Sequence, residues 1–441
     1  MNRAIVFLCL CNLHLKLLLG NTIRPALTGH FFLRGILRHR LNVRPPGTNR
    51  ETTLRWLAPT GHLRLLLRHY PLDRSEPLVE VGDRVEADAP LSQPRGLLAV
   101  PVHAPVAGEV TSFRRSNNQV TLLLKPDTGA TPSHGFPTAQ EKRSFSREEM
   151  EALLQQFPLL DNHLPLLLKL KLLSQHPERK LVINALDKGV FMETRLRLLS
   201  AYGEQLEVAL QLLGELFEAR PVLLLPQEHR RQILNKLPHL PASLKWTRNK
   251  YPNHLEHLAL QAATGSRLSP AALPEARGIA VIELQTVLHF YHLLIHEQPS
   301  PWQWVSAYNP ADQRVEAIAT TRGVTRSWLP SAYGDSENWV SGDGYLRETS
   351  KFAPLRCLIQ GEDILPAHPD RCIRCGFCLK ICPEKLTPFQ LTGLIESGHW
   401  QRAEKFGLEH CNLCGSCAMV CPAHIDLQAV LQKGIAELHG I

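Results

Sequence analysis

The stretch from Cys372 to Pro383 reads CIRCGFCLKICP, and from Cys411 to Pro422 the chain repeats it as CNLCGSCAMVCP. Each copy is C-x2-C-x2-C-x3-C-P. Two-residue gaps let a tight loop turn three thiolates onto one face of a 4Fe–4S cubane. The fourth cysteine, three residues on and followed by proline, points away to the other cluster. The spacing assigns Cys372, Cys375, Cys378 and Cys421 to one cluster and Cys411, Cys414, Cys417 and Cys382 to a second. Gly376 and Gly415 let backbone N–H groups approach sulfur, where hydrogen bonds help to set the potential. Zinc also uses C-x2-C pairs, but a third cysteine at the next two-residue step and a Cys-Pro ending are not its pattern. One cluster would suffice to staple a fold, whereas two joined by exchanged ligands suit electron transfer. The insert Leu386–His410 has helical spacing, with Leu391, Leu394, Ile395 and Phe406 able to line one side. Residues 366–441 therefore read as an α-helical ferredoxin module.

Outside these two runs the chain nearly avoids cysteine. Of 11, eight lie between Cys372 and Cys421, and the others are Cys9, Cys11 and Cys357. A secreted disulfide protein would spread its cysteines through the fold, so thiolate metal ligands in a reducing compartment explain the pattern better. Cys357 reads as a core or surface thiol, and Cys9 and Cys11 have no assignable role.

Working towards the N-terminus, residues 298–365 hold four of the seven Trp (Trp302, Trp304, Trp328, Trp339) and read as a small β-containing linking segment. Over 146–297 strand-like and helical runs alternate. Ser146 and Glu149 form a capping-box pair before the helix Met150–Phe157. Strand-like Lys180–Ala185, Pro221–Leu225 and Gly278–Leu284 alternate with helical Thr194–Ala219, Gln227–Leu237, Leu255–Ala263 and Thr286–Glu297. That alternation argues for a Rossmann-like parallel α/β domain. Over 76–125, EPLVEVGDRVEADAPLSQ (Glu76–Gln93) and VPVHAPVAGEVTSF (Val100–Phe113) alternate apolar residues with Gly-Asp and Ala-Pro breaks. They read as short strands of a barrel-sandwich β domain resembling biotinyl and lipoyl carriers. Such carriers present a modified Lys on a hairpin, but here that region is Pro94-Arg95-Gly96-Leu97-Leu98. A structural role is expected instead. The fold class is thus a multidomain α/β chain. Residues 1–75 read as an irregular basic segment with a short helix around Leu63–His69. Its apolar stretch Ala4–Leu19 is interrupted by Asn12, His14 and Lys16. It is too short to span a bilayer, so a packed or membrane-surface helix, or a start assigned too early, is expected.

The order of these units, with EPLVEVGDRV, PVHAPVAGEV, KLVINA, KYP (Lys250–Pro252) and CIRCGFC, resembles the C subunit of Rnf-type ion-translocating electron-transport complexes. The match runs from about Glu76 to the C-terminus. The resemblance implies a subunit held peripherally at the cytoplasmic face of the inner membrane. It would accept electrons from NADH through a flavin (FMN) in the α/β domain and pass them through two 4Fe–4S clusters to membrane subunits.

One part of the family pattern is altered. The nucleotide loop, roughly GGAGFPTxxKL in the family, is here Leu160-Asp161-Asn162-His163-Leu164-Pro165-Leu166-Leu167-Leu168-Lys169-Leu170. Pro165 and Lys169 remain, but all three glycines are replaced, and side chains there would fill the phosphate space. The stretch close to NAxECEPY is here Asn184 to Phe191, with Asn184 and Asp187 compatible. His254-Leu255 stands for the expected Gly pair, while Glu256 fits. HGFPT at His134–Thr138 lies before the capping helix and is read as chance. Lys169, Asn184 and Asp187 are therefore expected as the remnant of a flavin and NADH site whose binding is lost or weakened. Electrons would then come from another redox donor protein.

Alternative readings are a complete NADH-oxidising flavoprotein of the same complex and a soluble iron–sulfur adaptor with scaffold or nucleic-acid duties. The net charge is +8, but Arg and Lys are dispersed, so no nucleic-acid arm is indicated. No Ser–His–Asp signature, nucleophile elbow or P-loop is present. No H-x3-H or HExxH arrangement has a supporting carboxylate. His257, His289 and His292 lie on or near apolar helical faces and read as core or surface residues rather than ligands.

Overall fold

The computed structural model describes residues 54–439 except 60, 69–74, 97–98, 117–118, 137–143, 163, 189–191, 238–239, 249–251, 271, 310–313, 325–338, 343–346, 349–356 and 361–370. The readings of Ala4–Leu19, Cys9 and Cys11 lie outside the described residues.

The chain enters through β1 (Arg55–Trp56) and β2 (Leu63–Arg68). The second corrects the helix expected around Leu63–His69. In LRLLLR, Leu63, Leu65 and Leu67 are all buried, the period of two that a strand needs. The barrel follows, with β3 (Glu76–Pro77), β4 (Arg84–Val85), β5 (Ser92–Gln93), β6 (Gly108–Ser116) and β7 (Gln119–Pro126). One sheet runs β2-β7-β6-β4 and a two-stranded ribbon pairs β3 with β5. Leu63, Leu65, Leu91, Val106, Leu122 and Leu124 fill the interior.

Ser146 then caps α1 (Arg147–Gln156). Its hydroxyl accepts from Glu149 N, and the Glu149 carboxylate accepts from Ser146 N at 2.7 Å, which is the capping box read in the sequence. A hairpin of β8 (Leu160–Asp161) and β9 (Leu164–Pro165) leads into α2 (Leu166–Leu173). Next come β10 (Lys180–Asn184), α3 (Thr194–Ala201), α4 (Gly203–Phe217), β11 (Pro221–Pro226), α5 (Arg230–Lys236), β12 (Ser243–Thr247), α6 (Glu256–Thr264), β13 (Ile279–Glu283) and α7 (Leu284–His296). The four strands β10 to β13 form one sheet in the order β12-β11-β10-β13, every pair parallel. In chain order that is third, second, first, fourth, so the winding reverses between β10 and β13. Open parallel sheets form their ligand crevices outside the carboxyl ends of the strands at such a reversal. Here those ends are Asn184 and Glu283. Leu181, Ile183, Leu223 and Ile282 face one helical layer, while Val182, Leu224 and Val281 face α6. Each fully buried Leu or Val in these strands contributes ~1.5–3 kcal/mol by leaving water.

The region read as a linking segment is a wall between two cores. It carries β14 (Trp302–Asn309), β15 (Arg314–Thr321), β16 (Trp339–Gly342), β17 (Arg347–Glu348) and β18 (Cys357–Gln360) in a six-stranded sheet ordered β1-β15-β14-β18-β16-β17. Trp302, Trp304 and Ala319 join the α/β core. Val305, Ala307 and Ile318, on the opposite face, join the barrel core. Alternation along a strand thus welds the first two domains through the third.

The last module holds α8 (Phe377–Ile381), α9 (Pro388–Glu396), α10 (Trp400–Lys405), α11 (Ser416–Met419) and α12 (Leu427–His439). Leu391, Ile395, Leu408, Leu427, Leu431 and Ile435 form its core. Gly434 on α12 packs against Ile395 of α9; a Cβ there would stand 2.5 Å from Ile395 Cδ1.

Candidate functional site

The two cysteine runs repeat in backbone as well as in sequence. Gly376 and Gly415 both have φ +76°, at the start of α8 and of α11. Arg374 and Leu413 match at φ 54° and 53°, and Lys385 and His424 at 58° and 52°. Left-handed residues at such points favour concavities lined by peptide N–H groups, which suit an anionic sulfur cluster, and the N–H groups of Leu379, Leu413 and Ala418 reach the Cys378, Cys411 and Cys417 thiols. Cys372, Cys375 and Cys378 line one cavity together with Cys421. Cys411, Cys414 and Cys417 line another together with Cys382. The fourth cysteine of each run has crossed to the other run's cavity.

The thiols stand around these cavities rather than meeting at a point. Among the described residues no three His, Cys, Asp or Glu converge closely enough to hold a single metal ion. Burial pushes the Cys378, Cys411 and Cys417 thiols up, so binding iron must displace their protons. Cys414 N donates to Asn412 Oδ1 at 3.1 Å, and Cys414 Sγ lies 3.3 Å from Ser416 Oγ. Four thiols, apolar walls and inward amides per cavity fit a 4Fe–4S group.

The second cavity is docked on the α/β domain. Glu384, two residues beyond Cys382, accepts from His257 Nε2 on α6 at 2.8 Å and from Asn412 Nδ2 at 3.3 Å, with Arg267 at 3.5 Å. Burial pushes the Glu384 carboxyl up, but the hydrogen bond and charge of His257, with those of Arg267, hold it below its ordinary value. His257 is thus buried, as its helical position suggested, but it is also the link to the cysteine module. His292 is buried in the core, as read, while His289 is half-buried and lines the cleft beside the sheet.

Lys169, Asn184 and Asp187 all come to the carboxyl edge of the parallel sheet, where internal partners already engage them. Lys169 is 1% exposed. Its ammonium donates to Asp161 Oδ2 at 2.9 Å and to Val281 O at 2.6 Å, with Glu275 at 3.3 Å and Glu256 at 3.4 Å. Burial alone would lower its pKa, but the three carboxylates raise it, so it is a fixed cation. Asn184 Nδ2 donates to His254 O at 2.8 Å and to Glu283 Oε1 at 3.3 Å, and its Oδ1 accepts from Leu186 N at 3.2 Å. Asp187 Oδ1 accepts from Arg195 N at 2.8 Å, and burial pushes its carboxyl up to about 7. The Arg195 guanidinium, brought down to about 10 by burial, pairs with Glu283 and with Leu186 O. A cleft of about 410 Å³ opens beside this edge, between sheet and barrel. Asn162, Lys188 and Glu283 line it, while Lys169, Asn184 and Asp187 do not.

Comparison with known proteins agrees with the sequence at both ends of the chain. Residues 43–122 match the RnfC barrel sandwich hybrid domain, and residues 371–425 match the 4Fe-4S dicluster domain. The C subunit of the ion-translocating oxidoreductase complex of Rhodobacter capsulatus is 24% identical over 375 residues, 78% of this chain and 72% of that protein. The protein of the same name in Buchnera aphidicola is 20% identical over 361 residues, 74% of each chain. The C subunit of the Na(+)-translocating ferredoxin:NAD(+) oxidoreductase complex of Acetobacterium woodii is 22% identical over 357 residues, 74% of this chain and 80% of that one.

The chain is similar to RnfC-type subunits over about three quarters of its length.

It carries, in order, a segment matching the RnfC barrel sandwich and a segment matching the 4Fe-4S dicluster domain. Among the described residues no helix is long and apolar enough to cross a membrane. The residues of these two networks that sequence reading missed are Asp161, Arg195, Glu275 and Glu283 at the sheet edge and Glu384 at the seam. Asp161 and Glu283 sit at strand ends beside recognised positions, a signal that could have found them. Glu275 lies in a short 3-10 turn, Pro274–Arg277, and nothing in its local sequence marks it.

Proposed function

We propose that this RnfC-type chain is an iron–sulfur electron-transfer subunit of an Rnf-like membrane complex, with two 4Fe–4S clusters. It would sit peripherally at the cytoplasmic face and relay electrons to membrane subunits. The observation that carries this reading is the crossing of Cys382 and Cys421 between two four-cysteine cavities, which holds two cluster sites side by side. When bound, such clusters exchange single electrons at potentials tuned by charge, hydrogen bonds to sulfur and exposure. The chain's own part is to supply eight thiolates, aim inward amides through Gly376 and Gly415, and exclude water with the apolar core of α9 and α12. The names of the relatives support the assignment to a membrane complex.

The Rossmann-like domain, in this reading, keeps its sheet and has lost FMN and NADH. Side chains replace the three loop glycines. Lys169 is fully engaged by carboxylates, and Asn184 and Asp187 are held by partners within the sheet edge rather than facing the cleft. A flavin phosphate would have to displace a buried ion-pair network, so the residues present do not fit that group. A redox protein is the expected donor. The cleft lined by Asn162, Lys188 and Glu283 favours a second reading, in which the subunit still takes electrons from NADH through a flavin.

Anaerobic reconstitution with iron and sulfide, followed by metal and flavin analysis, tests both. About eight irons per chain, no flavin and no bleaching of the visible absorbance by NADH is the expected result. About eight irons with retained flavin and bleaching by NADH would establish the second reading. Zinc in place of iron would overturn both, and salt-steep DNA binding without redox activity would point to an adaptor.

A further inference from the structure

The two cluster sites repeat in backbone but not in surroundings. Around the second, Asn412 and Leu413 are half-buried, Ser416 is 1% exposed, and Glu384 is docked on His257 of the α/β domain. Around the first, the matching positions are open. Ile373 is 67% and Phe377 40% exposed, and Cys372 and Cys375 are themselves exposed. Large apolar side chains at such exposure are few among the described residues, and these two flank Cys375. Arg371, Arg374 and Lys380 are exposed on the same short run, and none forms an ion pair among the described residues.

We propose that the face built by Ile373, Phe377, Arg371, Arg374 and Lys380 is the docking surface for an acidic one-electron redox protein, and that the first cluster site is the terminal through which the chain exchanges electrons with it. This rests on the cluster reading above. Two apolar anchors beside three cations suit a small, transient interface: the anchors desolvate the contact and the charges steer an acidic partner into it. The second site, half-buried and tied to the α/β domain through Glu384, offers no such approach among the described residues. The step is a reversible outer-sphere transfer. One electron leaves the one-electron centre of the reduced partner and the first cluster site gains it, the same contact carries it in the opposite direction, and no bond forms or breaks.

The test uses the full reconstituted chain, with an oxidised acidic [2Fe–2S] ferredoxin as probe and basic cytochrome c as control. Binding is read by calorimetry at low and high salt. Electron transfer from the dithionite-reduced chain is read by stopped flow. Arg374→Glu with Lys380→Glu is expected to weaken ferredoxin binding at least about tenfold at low salt and to flatten its salt dependence. Ile373→Ser is expected to weaken it several-fold at every salt concentration. The same charge change on the barrel, Arg115→Glu with Lys125→Glu, is expected to leave it unchanged. Intact visible absorbance with ferredoxin affinity equal to the parent, or equal losses from the barrel variants, would overturn the docking surface alone. Absence of iron–sulfur absorbance in the parent would overturn the cluster reading on which it stands.

Discussion

His257 Nε2 lies 2.8 Å from Glu384 Oε1, one residue on a helix of the α/β domain and the other two positions beyond Cys382. The pair is nearly closed to water, with side chains 8% and 6% exposed. Among the described residues it is a polar clasp between the cysteine module and the α/β domain.

Removing His257 leaves Glu384 a buried acceptor with only Arg267 and Asn412. His257→Ala is expected to cost ~1–3 kcal/mol, and the loss should concentrate at the seam. Thermal unfolding gives the magnitude. Hydrogen exchange should show faster opening at 411–417 while the strand Lys180–Asn184 stays protected. Uniform loss of protection across both would mean the clasp has no local role.

Lys169 neutralises Asp161 and stands beside two glutamates in a dry site. Lys169→Met removes the cation but not the carboxylates, and an uncompensated buried charge costs ~3–5 kcal/mol. The variant is expected to unfold at markedly lower urea. A midpoint within error of the parent would show that the network contributes no net stability.

Glu275 makes stability depend on pH. Burial pushes its carboxyl up to about 7 against the pull of Lys169, and neither oxygen accepts a hydrogen bond. A folded value above the unfolded one (~4.3) means the native state holds the proton more tightly. Its contribution is thus fully present below ~4.3 and is lost as pH rises through about 7. Glu275→Gln is expected to flatten this fall and to be the more stable protein at pH 8, by ~1 kcal/mol. Urea midpoints at pH 5 and pH 8 measure it; parallel profiles for parent and variant would refute the assignment.

The crossed fourth cysteines make an unusual expectation for single substitutions. Cys421→Ala lies in the second run, but it should damage the site of Cys372, Cys375 and Cys378. Cys382→Ala should damage the other. Iron content should fall in both, and their electron paramagnetic resonance spectra should each keep a different one of the parent's two signals. If each variant instead lost the signal of its own run, the exchange would be wrong.

Gly434 is expected to tolerate no side chain. Its Cβ would meet Ile395 Cδ1 at 2.5 Å and Leu408 Cδ2 at 3.0 Å. Overpacking costs ~1–3 kcal/mol, against ~1 kcal/mol gained from the helix preference of Ala over Gly. Gly434→Ala should therefore lower the melting temperature, and adding Ile395→Val should recover part of it.

The legible parts of this fold are those with a strong period or a fixed spacing. The parallel strands β10, β11 and β13 read out because they are buried on both faces, and the cysteine spacing foretells which four thiols share each cavity. Leu63–Arg68 reads as a helix because Leu63, Leu66 and Leu67 satisfy a helical spacing as well as Leu63, Leu65 and Leu67 satisfy a strand. Pairing with Val120–Leu124, far along the chain, settles it. Ser243–Thr247 escapes notice as an edge strand whose residues are only half-buried or exposed. The Lys169 network draws on Asp161, Glu256 and Glu275, and no local window contains them together. The seam is invisible for the same reason, since His257 and Glu384 stand 127 positions apart.

Crossing of the last cysteine of each run also sets an order of events during biosynthesis. A ribosome that has finished the first run has produced only three of the four sulfurs of the first cavity. That cavity closes only after Cys421 has been made and the intervening helices have folded back. Metal delivery must therefore wait for the second run, and a chain arrested between the two would display an open three-thiol trap rather than a half-finished carrier.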